Sequence, residues 1–215
     1  MNKTKEPVDN MIISFMMLRR FTGITGILLP VILLLGCCIY CTVCRQPSIS
    51  DYYHSEMRDI LVGVLFAIAV FLLFYKGYGV GDHRVSIWAG VSALGVAIFE
   101  TDPLQSEKFT FTGIIHYISA VSFFTALIYF CLFLFTRTDP DKKPTKRKLL
   151  RNKLYKICGY VMISCVGLIP IYGIWLSEAF PILKEFSPVF WLETLALWAF
   201  GLSWTVKGEM VLADE

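Results

Sequence analysis

Charged side chains are scarce in this chain. Lys, Arg, Asp and Glu make up 17% of its 215 residues, against about a quarter in an ordinary soluble domain. Only three histidines occur, His54, His83 and His116. No strand-like alternation of apolar and polar residues is visible, and there is no phosphate loop, dinucleotide fingerprint or HExxH motif. Internal repeats are lacking too. Each absence excludes a class. The low charge, with apolar residues in long uninterrupted blocks, excludes a soluble domain. The missing alternation removes a membrane β-barrel and leaves helices as the structure that satisfies its own backbone in lipid. The missing repeat argues against the inverted-repeat construction of many transporters.

What is present is 56% hydrophobic residues, and they fall into six blocks. A helix needs about 20 mainly apolar residues to cross a hydrocarbon core of about 30 Å. That ruler predicts an all-α polytopic bundle of six transmembrane helices over Phe21–Cys44, Ile60–Tyr75, Val85–Phe99, Gly113–Phe135, Tyr155–Leu176 and Val189–Val206. The chain then divides into an interfacial amino-terminal segment (1–20), a membrane domain (21–206) with a basic loop at 137–153, and a tail (207–215). The sequence Leu34-Leu35-Gly36-Cys37 has the form of a bacterial lipobox; against it stands the long charged region before the first span.

Basic residues of short loops set orientation. Lys3, Lys5, Arg19, Arg20, Lys76, Arg84, the run around Lys142, Lys143, Lys146, Arg147 and Lys148, and Lys207 fall on one side; Arg45, Arg58, Lys108 and Lys184 fall on the other. Both termini are therefore expected in the cytoplasm. The basic run sits in one inter-helix loop without interleaved aromatics, so anionic lipid headgroups are its expected contact rather than nucleic acid. Lys76, Arg84, Lys142, Lys143, Lys146, Arg147 and Lys148 are the candidate headgroup contacts.

Small residues let helices approach in lipid. Ala89, Ala93 and Ala97 with Gly90, Gly63 with Ala67, and Gly159 with Gly167 are candidates, either within the bundle or in a homo-oligomer. Cys37, Cys38, Cys41 and Cys44 crowd the outer end of the first span. They are read as small apolar seam residues, because i, i+3 pairs on a helix bridge poorly. The histidines are dispersed across both faces, so no metal or cofactor is expected.

The densest polar segment is Gln46-Pro-Ser-Ile-Ser-Asp-Tyr-Tyr-His54. Topology puts it on the outer face with Arg58, Glu100, Asp102, His116 and Glu193. Ionisable groups within spans are costly and mark functional sites by default. Ser48, Ser50, Asp51, Tyr53, His54, Arg58, Glu100, His116 and Glu193 form the candidate cluster. The competing reading is a polar cap, with Asp51 or Ser50 capping the second helix and His116 and Glu193 bonding loop backbone. On the inner side, Tyr75 to Arg84 reads as a glycine-containing turn in which Asp82 caps the third helix.

The runs Ser48-Ile-Ser-Asp-Tyr-Tyr53, Phe74-Tyr-Lys-Gly-Tyr78 and Ile115-His-Tyr-Ile-Ser-Ala120 resemble bacterial six-span membrane proteins of unknown function related to the Frag/DRAM/Sfk-type family. The resemblance covers Pro47 to Phe135 and weakens over the last two spans. It implies a multi-pass protein of the bacterial cytoplasmic membrane and no particular reaction. A more distant similarity is to ceramidase-like membrane hydrolases. Ser50, His54 and Asp82 fit part of their zinc-binding pattern, but the HxxxH and the seventh span are missing. The expectation is a membrane protein whose outer polar cluster binds a lipid headgroup or a protein partner. A membrane-embedded lipid hydrolase and a small transporter are the alternatives.

Overall fold

In a computed structural model, residues 6–77, 79–103, 109–138 and 143–212 are described, with side chains from Phe15 onward. Lys3, Lys5, Lys108 and Lys142 lie outside that set. Every regular element among the described residues is helical. The seven α-helices are α1 (Glu6–Tyr40), α2 (Arg58–Phe74), α3 (Val80–Ile98), α4 (Phe111–Tyr129), α5 (Lys146–Ile171), the one-turn α6 (Ser177–Ala179) and α7 (Pro188–Lys207). Four helical stretches are long and apolar enough to cross a membrane: Phe15–Tyr40, Phe111–Leu134, Lys146–Ala179 and Pro188–Lys207. Two of these continue α4 and α5 through π-helical turns at Phe130–Leu134 and Tyr172–Leu176. The second turn follows Pro170, which supplies no N–H to the α-helical ladder.

Three boundaries depart from expectation, each for a local reason. The first helix stops at Tyr40 rather than Cys44 because the chain folds back and a Cys38–Cys44 disulfide closes it. Six more residues of helix would have separated those Cα atoms by about 9 Å along the axis, too far to bridge. Cysteines 38 and 44 are therefore bridged, not seam residues; Cys37 is buried inside α1 and its thiol donates to Val43 O at 3.2 Å. Next, α3 starts at Val80 and takes Asp82, His83 and Arg84 into its first turns. Gly77, at φ +59°, makes the turn that allows this. Asp82 does not cap α3; its buried carboxylate pairs with Arg137 at 3.1 Å. Finally, Thr145 caps α5 by accepting from Lys148 N–H at 3.1 Å, so most of the basic run is helix rather than loop.

The six long helices form a closed ring in the order α1, α2, α3, α4, α5, α7. Neighbours α1 and α7 are antiparallel: Gly23 lies against Thr205, while Trp198 Nε1 donates to Ile27 O at 3.1 Å. A Cβ on Gly23 would sit 2.6 Å from both Gly201 O and Thr205 N, so these two backbones touch where glycine alone permits it. Ala89 and Ala93 on α3 are fully buried, and a Cβ on Gly90 would meet Leu73 of α2 at 2.7 Å. Gly63 and Gly167, by contrast, have nothing within 4 Å. They face outward and take no part in packing within the ring.

The two ends of the ring are built differently. At the end bearing Arg19, Arg20 and Lys207, Trp204 is surrounded edge-on by Tyr75, Phe130, Phe135 and Phe200 at centroid distances of 5.1 to 6.0 Å. Arg20 Nε donates to Gly208 O at 2.7 Å, which ties the start of the apolar stretch of α1 to the end of α7. The opposite end is roofed by the 3₁₀ turn Ser50–His54.

Candidate functional site

The roof is held by its own short-range bonds before it touches any helix. Ser48 Oγ accepts Asp51 N–H and donates to Asp51 Oδ2, both at 2.9 Å, and both residues are buried. This closes a tight polar turn. Asp51 does not cap α2, whose first turn has no side-chain cap. Pro47 O accepts Phe190 N–H at 3.0 Å. Tyr52 is completely buried with its ring 6.2 Å from that of Phe190, and burial pushes its phenol up to about 12.

Glu193, five residues into α7, fastens the roof to the bundle. Its Oε2 accepts Ile49 N–H at 2.5 Å, and its carboxyl group also accepts from the backbone N–H of Ser50. Ser50 Oγ in turn lies 3.1 Å from Nε2 of His116, a side chain only 2% exposed. The other imidazole nitrogen, Nδ1, is 2.9 Å from Phe99 O. A carbonyl can only accept, so Nδ1 carries the proton and the neutral ring offers its Nε2 lone pair to the Ser50 hydroxyl. Four elements thus meet in a continuous line from Glu193 of α7 through Ser50 of the roof and His116 of α4 to Phe99, which ends α3.

Beneath that line is a cavity of about 50 Å³, partly open, large enough for several waters or a short run of methylenes. Ser50, His116 and Glu193 make its polar wall. The remaining surface is apolar, with Leu29, Leu65, Phe124 and Leu197 contributed by four different helices.

The other sequence candidates form a separate rim. Arg58 lies 4.3 Å over the Tyr53 ring and donates to its hydroxyl at 2.9 Å. His54 Nε2 is 2.8 Å from Thr101 O, and its Nδ1 is 3.8 Å from the exposed Glu100. His54 and His116 each face a main-chain carbonyl, and no three His, Cys, Asp or Glu side chains among the described residues converge as a metal would require. Ser48, Ser50, Asp51, His116 and Glu193 are therefore together, while Tyr53, His54, Arg58 and Glu100 stand beside them. Asp102, outside the candidate set, organises the start of α4. It is buried and accepts from Thr110 N–H at 3.1 Å and from Thr110 Oγ1 at 2.7 Å, while the Thr110 hydroxyl caps Gly113 N–H at 3.0 Å.

At the far end, Lys76, Arg84, Lys143, Lys146 and Arg147 are exposed. Lys148 is partly withdrawn and its Nζ donates to Phe135 O at 3.0 Å. Lys142 lies outside the described residues.

No family model, curated protein or solved structure matches this chain.

Proposed function

We propose that the protein is a six-span integral membrane protein whose outer cavity binds the polar group and adjoining methylenes of a membrane amphiphile. The observation that carries this reading is the cavity itself: an apolar space whose polar wall is Ser50, His116 and Glu193. A pocket of mainly apolar lining with a few convergent polar groups is the ordinary form of a small-molecule site. Because it lies within a ring of hydrophobic helices, molecules of the bilayer have the shortest path into it.

In this reading α2 and α3 also cross the membrane. Their 17 and 19 residues span about 26 and 29 Å, at the short end of what a bilayer accepts. Closure of the ring needs them at the same depth as their neighbours. The basic residues favour placing both termini in the cytoplasm, and the disulfide at the opposite end suits an oxidising compartment. The resemblance to bacterial six-span proteins is consistent with this placement in a cytoplasmic membrane.

Lipid retention by the purified protein tests the reading. Native mass spectrometry of wild type is expected to show a bound amphiphile that survives detergent exchange. Ala120→Phe, which fills the cavity from α4, is expected to lose it without unfolding. Equal retention by the two proteins would remove the cavity as the binding site.

A further inference from the structure

We propose that Ser50 is an acyl-accepting nucleophile with His116 as its general base, so that the cavity processes a carboxylic ester of a membrane amphiphile. This rests on the binding reading above and goes beyond it by naming a reaction. The geometry points to it in three independent ways. The hydroxyl and the imidazole Nε2 are 3.1 Å apart although 66 positions separate them in the chain. The Phe99 carbonyl holds the proton on Nδ1, which fixes the tautomer and ring orientation that a base toward Ser50 requires; an orienting third group of this kind is the general signature of an activated serine. Ser50 also lines the cavity, so a bound ester can reach its oxygen.

The step balances with water as the sole co-reactant. Ser50 Oγ attacks the ester carbonyl carbon while its proton passes to His116 Nε2. The tetrahedral adduct collapses by breaking the bond to the alcohol oxygen, which takes the proton back from His116. Water then attacks the acyl carbon, giving a proton to His116, and the bond from that carbon to Ser50 Oγ breaks as Oγ takes the proton back from His116, which releases the carboxylic acid and regenerates Ser50. Glu193 is a positioning residue here. Its bonds to the N–H groups of Ile49 and Ser50 hold the nucleophile over the cavity, and in its ionised form it favours the imidazolium that forms across the Ser50 hydroxyl. No metal enters the step.

The test uses the full chain in detergent micelles with an alkyl fluorophosphonate, read by intact mass and by fragmentation of the labelled peptide. Wild type is expected to gain one phosphonyl group on Ser50, and Ser50→Ala none. His116→Ala should slow labelling at least about 100-fold, the scale of a lost general base. Glu193→Gln, which keeps an acceptor for Ile49 N–H, should slow labelling about tenfold and move the acid limb of its pH profile to lower pH. Amphiphile retention is measured on the same samples. Retention without labelling overturns the nucleophile and leaves the binding reading standing. Loss of both overturns both, and labelling that persists in His116→Ala overturns the role of the imidazole.

Discussion

The two ends of the helical ring solve the same packing problem in opposite ways. At the end bearing Arg19 and Lys207 the interior is filled by interlocking rings, with Trp204 in contact with Tyr75, Phe130, Phe135 and Phe200. Two basic side chains pack on that cluster: Arg19 lies 5.3 Å over the Tyr75 ring and Lys207 5.2 Å over the Phe135 ring. At the opposite end the interior is left partly empty and is roofed by hydrogen-bonded main chain. Filled space stabilises, while polar-walled empty space costs stability and is retained where something must enter. On that contrast, the end around Trp204 is the packed one, and the roofed end is where the proposed site lies.

The sharpest way to break the comparison is Trp204→Ala. Truncating a buried aromatic at the centre of a packed cluster costs about 3–5 kcal/mol, read as a fall in thermal midpoint in detergent micelles. Ala120→Phe at the other end should cost little and could raise the midpoint, because it fills space instead of emptying it. If both substitutions destabilised alike, the outer cavity would be ordinary core.

Glu193→Leu comes next. It leaves the Ile49 and Ser50 N–H groups without their acceptor, and each buried orphan of this kind costs about 1–3 kcal/mol. Glu193→Gln keeps an acceptor oxygen and should cost less than half as much. Amide exchange at Ile49 and Ser50 would check this: protection is expected to collapse in the leucine variant and survive in the glutamine one. Asp102→Ala follows, at about 1 kcal/mol, the usual size of a lost helix-start interaction. Its effect should be confined to exchange at Thr110–Gly113, since Thr110 keeps its own hydroxyl on Gly113 N–H.

How much of this was legible in the sequence depends on whether the cause is local. The helices were legible because each is one uninterrupted apolar block, and their middles fall where the blocks do. Their ends were less so, since they depend on partners elsewhere: Asp82 belongs to α3 because Arg137 from beyond α4 meets it, and α1 stops early because Cys44 returns to Cys38. For the site, Ser50, His116 and Glu193 could be named individually as polar groups out of place in apolar surroundings. That they touch could not be read, because the contact is made by ring closure and by the Phe99 carbonyl, whose residue type carries no signal. The Trp204 cluster was hidden for a similar reason. Its members are spread over α2, α4 with its π-turn, and α7, each apolar in an apolar run. Gly23 and Gly201 likewise look no different from Gly63 and Gly167, yet only the first pair sits at a backbone crossing.

The smallest expected effect separates two neighbours in the basic run. Lys146 is exposed, whereas Lys148 is partly buried and donates to the carbonyl of Phe135, the residue whose N–H closes the π-turn after α4 on Phe130 O. A surface cation away from any partner is worth within about 0.5 kcal/mol to stability, and its contribution to an anionic bilayer is about 1 kcal/mol and falls with salt. Lys146→Ala should therefore leave the thermal midpoint unchanged while weakening association with anionic lipid in a salt-dependent way. Lys148→Ala should do the reverse, lowering stability by about 1 kcal/mol, the worth of one ordinary hydrogen bond at a half-buried position, with little change in lipid contact. Paired melts and vesicle binding at low and high salt would separate them. Identical behaviour would mean that Lys148 is displayed like Lys146 and does not help close the aromatic cluster.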